Sequence, residues 1–172
     1  MREVSAQAFY QARVKISALV FAPINAQLIA LVEKHLEVPR WRRLRVVASD
    51  GSKVRLTLMN KGIRSIAEGV AFGLTLPGIE LFLDFVLDEP LCDERQRLFE
   101  AIDAGVLRSD DLLVLDRGFP SRWLVRRLTT REIPFCIRCD SSAGFKAVRD
   151  FLASGLDEKV VSLRPPNARD AA

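Results

Sequence analysis

Apolar positions recur along this chain with two different periods. Over residues 5–20, Ala8, Phe9, Ala12, Val14, Ile16 and Leu19 are interleaved with Arg13 and Lys15, which predicts a helix that Pro23 breaks or restarts. Over residues 25–36, Leu28, Leu31, Val32 and Leu36 share one face and predict a second helix, closed by Pro39. The texture then changes. Residues 44–48 form an apolar, β-branched run that ends at Asp50-Gly51-Ser52, and residues 54–58 alternate. This predicts a strand, a tight Asp-Gly turn and a second strand. Residues 59–68 read as a loop or short helix. Residues 69–76 and 79–87 are apolar runs joined by Pro77-Gly78, a predicted hairpin.

Beyond the hairpin, residues 92–104 predict a helix with Leu98 and Ile102 inward and Gly105 as its stop. Residues 111–116 read as a short buried strand. Residues 121–130 read as a helix capped by Ser121, residues 133–139 as a strand, residues 145–154 as a helix ended by Gly155, and residues 159–163 as strand-like. Antiparallel hairpins followed by alternating helices and strands imply an α/β fold, a mixed sheet with flanking helices. The expected organisation is a helical segment over 1–40, a sheet-containing domain over 41–164 and a disordered tail over 165–172.

Composition narrows the class only a little. The 172 residues are 49% hydrophobic and 28% charged, a balance that supports one packed core. The net charge of +4 and pI near 9.2 fit a nucleic-acid partner without requiring one. Arginine outnumbers lysine, which suits phosphate recognition or reflects GC-rich codons. Cys136 and Cys139 form a lone CxxC, and the single histidine, His35, lies far off in the sequence. The pair reads as small apolar residues in a strand rather than as half of a zinc site. No run of 18 apolar residues occurs and the first residues lack a signal-peptide core, so no membrane partner and a cytoplasmic, nucleoid-associated location are expected.

Two aspartates carry the candidate chemistry. Asp50 and Asp116 each end a predicted strand and each precedes a glycine-containing stretch, Gly51-Ser52 and Arg117-Gly118. Carboxylates at strand ends face the crevice where ligands bind in open α/β sheets. Gly51 and Gly118 are expected to leave the space beside each acid open. Neighbouring carboxylates call for a divalent cation, and Mg²⁺ or Mn²⁺ held this way supports phosphodiester chemistry. The competing reading is turn chemistry alone.

The wording around these acids resembles a known family. VASDGS at 47–52 and LLVLDRGFPSRWLVRRL at 112–128 resemble the first and second catalytic motifs of the insertion-sequence 4 family of DDE transposases. Phe119 stands where the family commonly has Tyr. The stretch IPFCIRCDSSAGFKAVRDFLASG and the opening FYQARVKISALVF also resemble that family, so the likeness runs over residues 7–164. The resemblance implies an incomplete ribonuclease-H-like domain preceded by two helices. It also implies Asp50 and Asp116 as catalytic metal ligands and Mg²⁺-dependent cutting and joining of double-stranded DNA at element ends. The family's third acid, a Glu in a Tyr-Arg-Glu-Lys motif, is absent from the sequence, so the expectation is a C-terminally truncated transposase with an incomplete metal site and some apolar surface left bare.

Glu94, Glu100, Asp84 and Glu158 are weaker candidates for a substitute acid. Lys53, Arg117, Arg122 and Arg126 are candidate DNA contacts, and Arg40, Arg42, Arg43 and Arg45 form a further basic cluster. Trp41 and Trp123 read as base-stacking residues or, preferably, as residues packed on the sheet. Three functions remain open on the sequence: a partial transposase, a non-catalytic DNA-binding or regulatory remnant that pairs with itself or with full-length enzyme, and a metal-dependent nuclease with a different third acid.

Overall fold

The computed structural model describes residues 4–60, 63–142 and 144–167. The chain divides into two compact units, Met1–Glu37 and Val38–Ala172.

The first unit is helical. Helix α1 spans Ala6–Val14, and Ser5 caps it by accepting the Ala8 N–H at 3.2 Å. A short 3-10 turn over Ala18–Val20 leads directly into α2, Phe21–His35. Pro23 sits in the first turn of α2, where an N–H has no acceptor within the helix, so it is accommodated there and α2 starts earlier than expected. The buried residue of α2 is Ile29. Leu28, Leu31 and Leu36, predicted to share one face, are exposed.

The second unit is a six-stranded mixed sheet with three helices. Strand β1 (Arg40–Trp41) turns through Arg42 and Arg43 into β2 (Leu44–Asn60). Strands β3 (Ile63–Leu76) and β4 (Leu81–Asp88) follow, then α3 (Glu94–Asp103), β5 (Asp111–Leu115), α4 (Arg122–Thr130), β6 (Phe135–Ile137) and α5 (Lys146–Ser154). The spatial order is β4-β3-β2-β5-β6, with β1 also on β2. β2, β3 and β4 form an antiparallel meander, and β5 and β6 add in parallel on the other side of β2.

Three local expectations fail. Asp50-Gly51-Ser52 is no turn: β2 runs through it without a break, paired with β3 from Ala48↔Thr75 to Asn60↔Ile63. Described residues among 59–68, expected as loop or helix, belong to the same two long strands. A two-residue turn motif yields here to a long hydrogen-bonded ladder on one side of β2. Residues 159–163 have no strand partner and run irregularly. Of the tail expected to be disordered, residues 168–172 lie outside the described residues.

One sheet face is covered. Val47, Phe72, Leu74, Leu76, Leu113 and Leu115 project from the sheet onto Leu98, Ala101 and Ile102 of α3 and Leu124 and Leu128 of α4, with Phe119 and Ile133 closing the edges. Apolar burial of this kind contributes roughly 25 cal/mol per Å². Asp103 of α3 joins α3 to α4 by accepting from Arg127 and, at 3.4 Å, from Arg131. Arg97 ties α3 to the end of β4 through both carboxylate oxygens of Asp88. The second sheet face is open in part: Phe82, Phe85 and Leu87 of β4 and Val114 of β5 are exposed.

Candidate functional site

The site is built by strand register. β2 and β5 pair in parallel from Arg45↔Asp111 to Ser49↔Leu115. The next position on each chain is Asp50 and Asp116. At that step β5 ends and the chain turns away, with the Phe119 N–H donating to the Asp116 carbonyl at 3.1 Å. β2 continues past Asp50, paired only with β3. A notch therefore opens where β5 leaves β2, with one carboxylate on each side, on strands about 4.8 Å apart.

Both acids are exposed. Asp50 Oδ1 accepts the Gly51 N–H at 2.9 Å, which fixes its side chain close to the backbone. Asp116 Oδ1 lies 3.6 Å from Arg138 Nη1, an exposed ion pair, and Arg138 in turn donates its backbone N–H to the Leu115 carbonyl at 2.9 Å. Arg138 follows β6 and was not among the sequence candidates.

The two glycines differ. Gly118 has open space beside it, as expected. The side of Gly51 is filled: a Cβ there would stand 2.3 Å from the Glu94 carboxyl carbon. Glu94 thus presses on β2 beside Asp50. Side chains alternate along a strand, so Glu94 meets β2 on the Gly51 face, the face of buried Ser49 and Val47, while Asp50 belongs to the opposite face with Ala48 and Val46. Among the described residues no three His, Cys, Asp or Glu side chains gather as a metal-binding group. Glu100 is turned to Gln96 and Arg97, which hold its carboxyl below the usual range, Gln96 contributing most. Asp84 lies on β4, with β3 between it and β2. Glu158 is exposed in the irregular segment after α5.

The basic residues differ in their surroundings. Lys53 is exposed on β2, three positions past Asp50, and Arg117 is exposed in the loop after Asp116. Arg122 and Arg126 line a cavity of about 250 Å³ with Phe145, Leu163 and Arg164. The cluster before β2 is largely consumed by the fold, contrary to expectation. Arg45 is 1% exposed and grips Asp111, 0% exposed, through two hydrogen bonds of 2.6 and 2.8 Å. Arg40 donates to Asp110 at 3.0 Å and holds that carboxyl below its usual range. Arg42 lies 4.8 Å from the Trp41 ring centre, a cation–π contact. Arg42 and Arg43 form the two-residue β1–β2 loop with φ of 49° and 72°, a left-handed pair that usually calls for Asn-Gly. Trp41 and Trp123 are both substantially exposed instead of packed on the sheet.

Cys136 is exposed on β6 and Cys139 half-buried just beyond it. Burial pushes the Cys139 thiol up, with Asp140 adding to the effect. A thiol held protonated is a poor metal ligand and a poor nucleophile. Among the described residues no helix is long and apolar enough to cross a membrane.

Comparison with models of known protein families finds no match, and comparison with curated proteins finds no significant match.

Proposed function

We propose that the Val38–Ala172 unit serves DNA transposition as part of a ribonuclease-H-like DDE transposase core, with Asp50 and Asp116 as ligands of Mg²⁺ or Mn²⁺. The observation that carries this reading is the register of β2 and β5, which pairs Ser49 with Leu115, the residues immediately before the two acids. The sheet order adds support. An antiparallel meander with two parallel strands added beside its first strand is the arrangement that the reading requires.

The residues at hand fit part of a divalent-ion site. Two exposed carboxylates offer hard oxygen donors to an ion that keeps several waters and takes the rest of its shell from a phosphate. Such an ion, when bound, activates a water or hydroxyl and stabilises the leaving oxygen of a phosphodiester. Asp50 and Asp116 would hold and orient it. Open space at Gly118 lets a DNA backbone approach Asp116 closely. Arg117, Arg122, Arg126 and Lys53 supply positive charge for phosphates, fixing position without reading sequence. A complete DDE site needs a third carboxylate beside this pair, and Glu94 meets β2 on the other face.

That last point favours one second reading, DNA binding without cutting. Mn²⁺ titration followed by electron paramagnetic resonance separates the two. The metal-site reading expects binding by the parent chain that is abolished by Asp50→Asn and by Asp116→Asn. Mn²⁺ binding unchanged in both variants sinks it. Salt-dependent binding of duplex DNA that survives both substitutions supports the non-catalytic reading.

A further inference from the structure

Arg45 and Asp111 are the least accessible charged residues described, and neither takes part in the proposed chemistry. They are register partners at the start of the β2/β5 ladder. Arg45 Nε donates to Asp111 Oδ1 at 2.6 Å, Arg45 Nη2 donates to Oδ2 at 2.8 Å, and the Arg108 N–H donates to Oδ2 at 2.9 Å. The Arg45 backbone N–H also donates to the Asp110 carbonyl at 2.8 Å. Asp50 stands five positions further along β2, and Asp116, five positions after Asp111, follows the end of β5.

Apolar alternation does not by itself fix this register. A slip of one residue would turn Leu113 and Leu115 away from the core, and burial forbids it. A slip of two residues preserves the faces: apolar residues would still meet apolar residues, with Leu113 or Val47 moved beside a new neighbour. It would carry Asp116 about 6.6 Å along the strand from Asp50. The ion pair forbids this second slip, because it would set Arg45 against Leu113 or Asp111 against Val47 and separate the two buried charges from each other.

We propose that the buried Arg45–Asp111 ion pair locks the parallel register of β2 and β5 and thereby positions Asp50 and Asp116 side by side. Its bearing on catalysis rests on the metal-site reading above, but its geometry is testable without that reading. Arg45 and Asp111 are positioning residues, acting through the strands they clamp.

The test uses the full chain with Cys92, Cys136 and Cys139 changed to Ser and with Asp50→Cys and Asp116→Cys introduced. Paired thiolates at one level chelate Cd²⁺, read by the thiolate-to-cadmium charge-transfer band. Adding Arg45→Met and Asp111→Leu removes the lock while keeping the volume apolar. The expected result is a chain that still unfolds cooperatively but binds Cd²⁺ on the order of 100-fold more weakly, having lost the second arm of a chelate. Equal Cd²⁺ affinity with and without the ion pair would overturn the proposal. Should this apolar pair not fold, the Arg45→Leu/Asp111→Val chain carries the same test. If both fail to fold, the pair serves stability and not register, and the proposal is wrong. Cd²⁺ chelation that depends on the ion pair, in a protein whose native Asp50 and Asp116 bind no Mn²⁺, would leave the register lock standing and remove only the metal-site reading.

Discussion

Arg45→Met is the substitution whose cost follows most directly from the geometry. It removes a guanidinium that is 1% exposed and takes from the Asp111 carboxylate, 0% exposed, two hydrogen bonds and its paired charge, with the Arg108 N–H still donating to it. Breaking a buried pair by removing one partner costs about 3–5 kcal/mol, because the desolvated charge left behind has no compensation. Domains of this size have about 5–15 kcal/mol of stability in total, so the variant sits near the edge of folding. With a urea slope of about 1.5 kcal/mol per molar, the unfolding midpoint falls by about 2–3 M. Asp111→Leu alone should cost a similar amount by stranding Arg45. The double variant Arg45→Met/Asp111→Leu should recover most of the loss or exceed the parent, since apolar replacement of a buried pair is often neutral or stabilising by about 1–4 kcal/mol. Urea unfolding of the four chains gives the coupling directly. A single-variant loss below about 1 kcal/mol, the range of an exposed ion pair, would refute the burial argument and the register argument with it.

Three further outcomes follow from particular contacts. Replacing Arg42-Arg43 by Asn-Gly should stabilise the chain by about 1–2 kcal/mol, since both residues hold left-handed φ in a two-residue hairpin loop; an unchanged midpoint in thermal unfolding would show that the loop is not strained. Gly51→Ala should displace the Glu94 carboxylate, the flexible end of a side chain, with a cost within about 1 kcal/mol; a larger loss in urea unfolding would mean that Glu94 is held rigidly on β2. Asp110 has its carboxyl held below the usual range, chiefly by the hydrogen bond from Arg40, so the folded state binds that proton less readily than the unfolded state. The resulting stability is present above the ordinary aspartate value of about 3.9 and is lost as pH falls through the lowered value. The gap between parent and Arg40→Ala should therefore close in strongly acidic solution, and a gap that persists there would assign the effect to packing.

The parts legible in the sequence were those set by neighbours along the chain. Helices α3, α4 and α5 fall close to their predicted spans because apolar spacing, the Ser121 cap and the glycines at 105 and 155 all act within a few residues. The Pro77-Gly78 turn between β3 and β4 is local in the same sense. Asp50-Gly51-Ser52 misled because its turn preference is also local, while β3 supplies a ladder across it with Asp50 opposite Gly73. Arg45 was misread with its basic neighbours. The signal that could have singled it out is the matched spacing of Arg45 to Asp50 and Asp111 to Asp116, with one charge of each sign at the head of an apolar run.

The sequence by itself determined the helices, the short strand before Asp116 and the two acids worth examining, because periodicity and capping are short-range. Only the tertiary structure decided that β2 passes through the first acid unbroken. It also set Asp116 beside Asp50, put Glu94 on the other face and buried Arg45 against Asp111. The placing of the two acids and the burial of Arg45 depend on strand register between segments some sixty residues apart, which is fixed by which side chains can be buried together and not by any pattern within one strand.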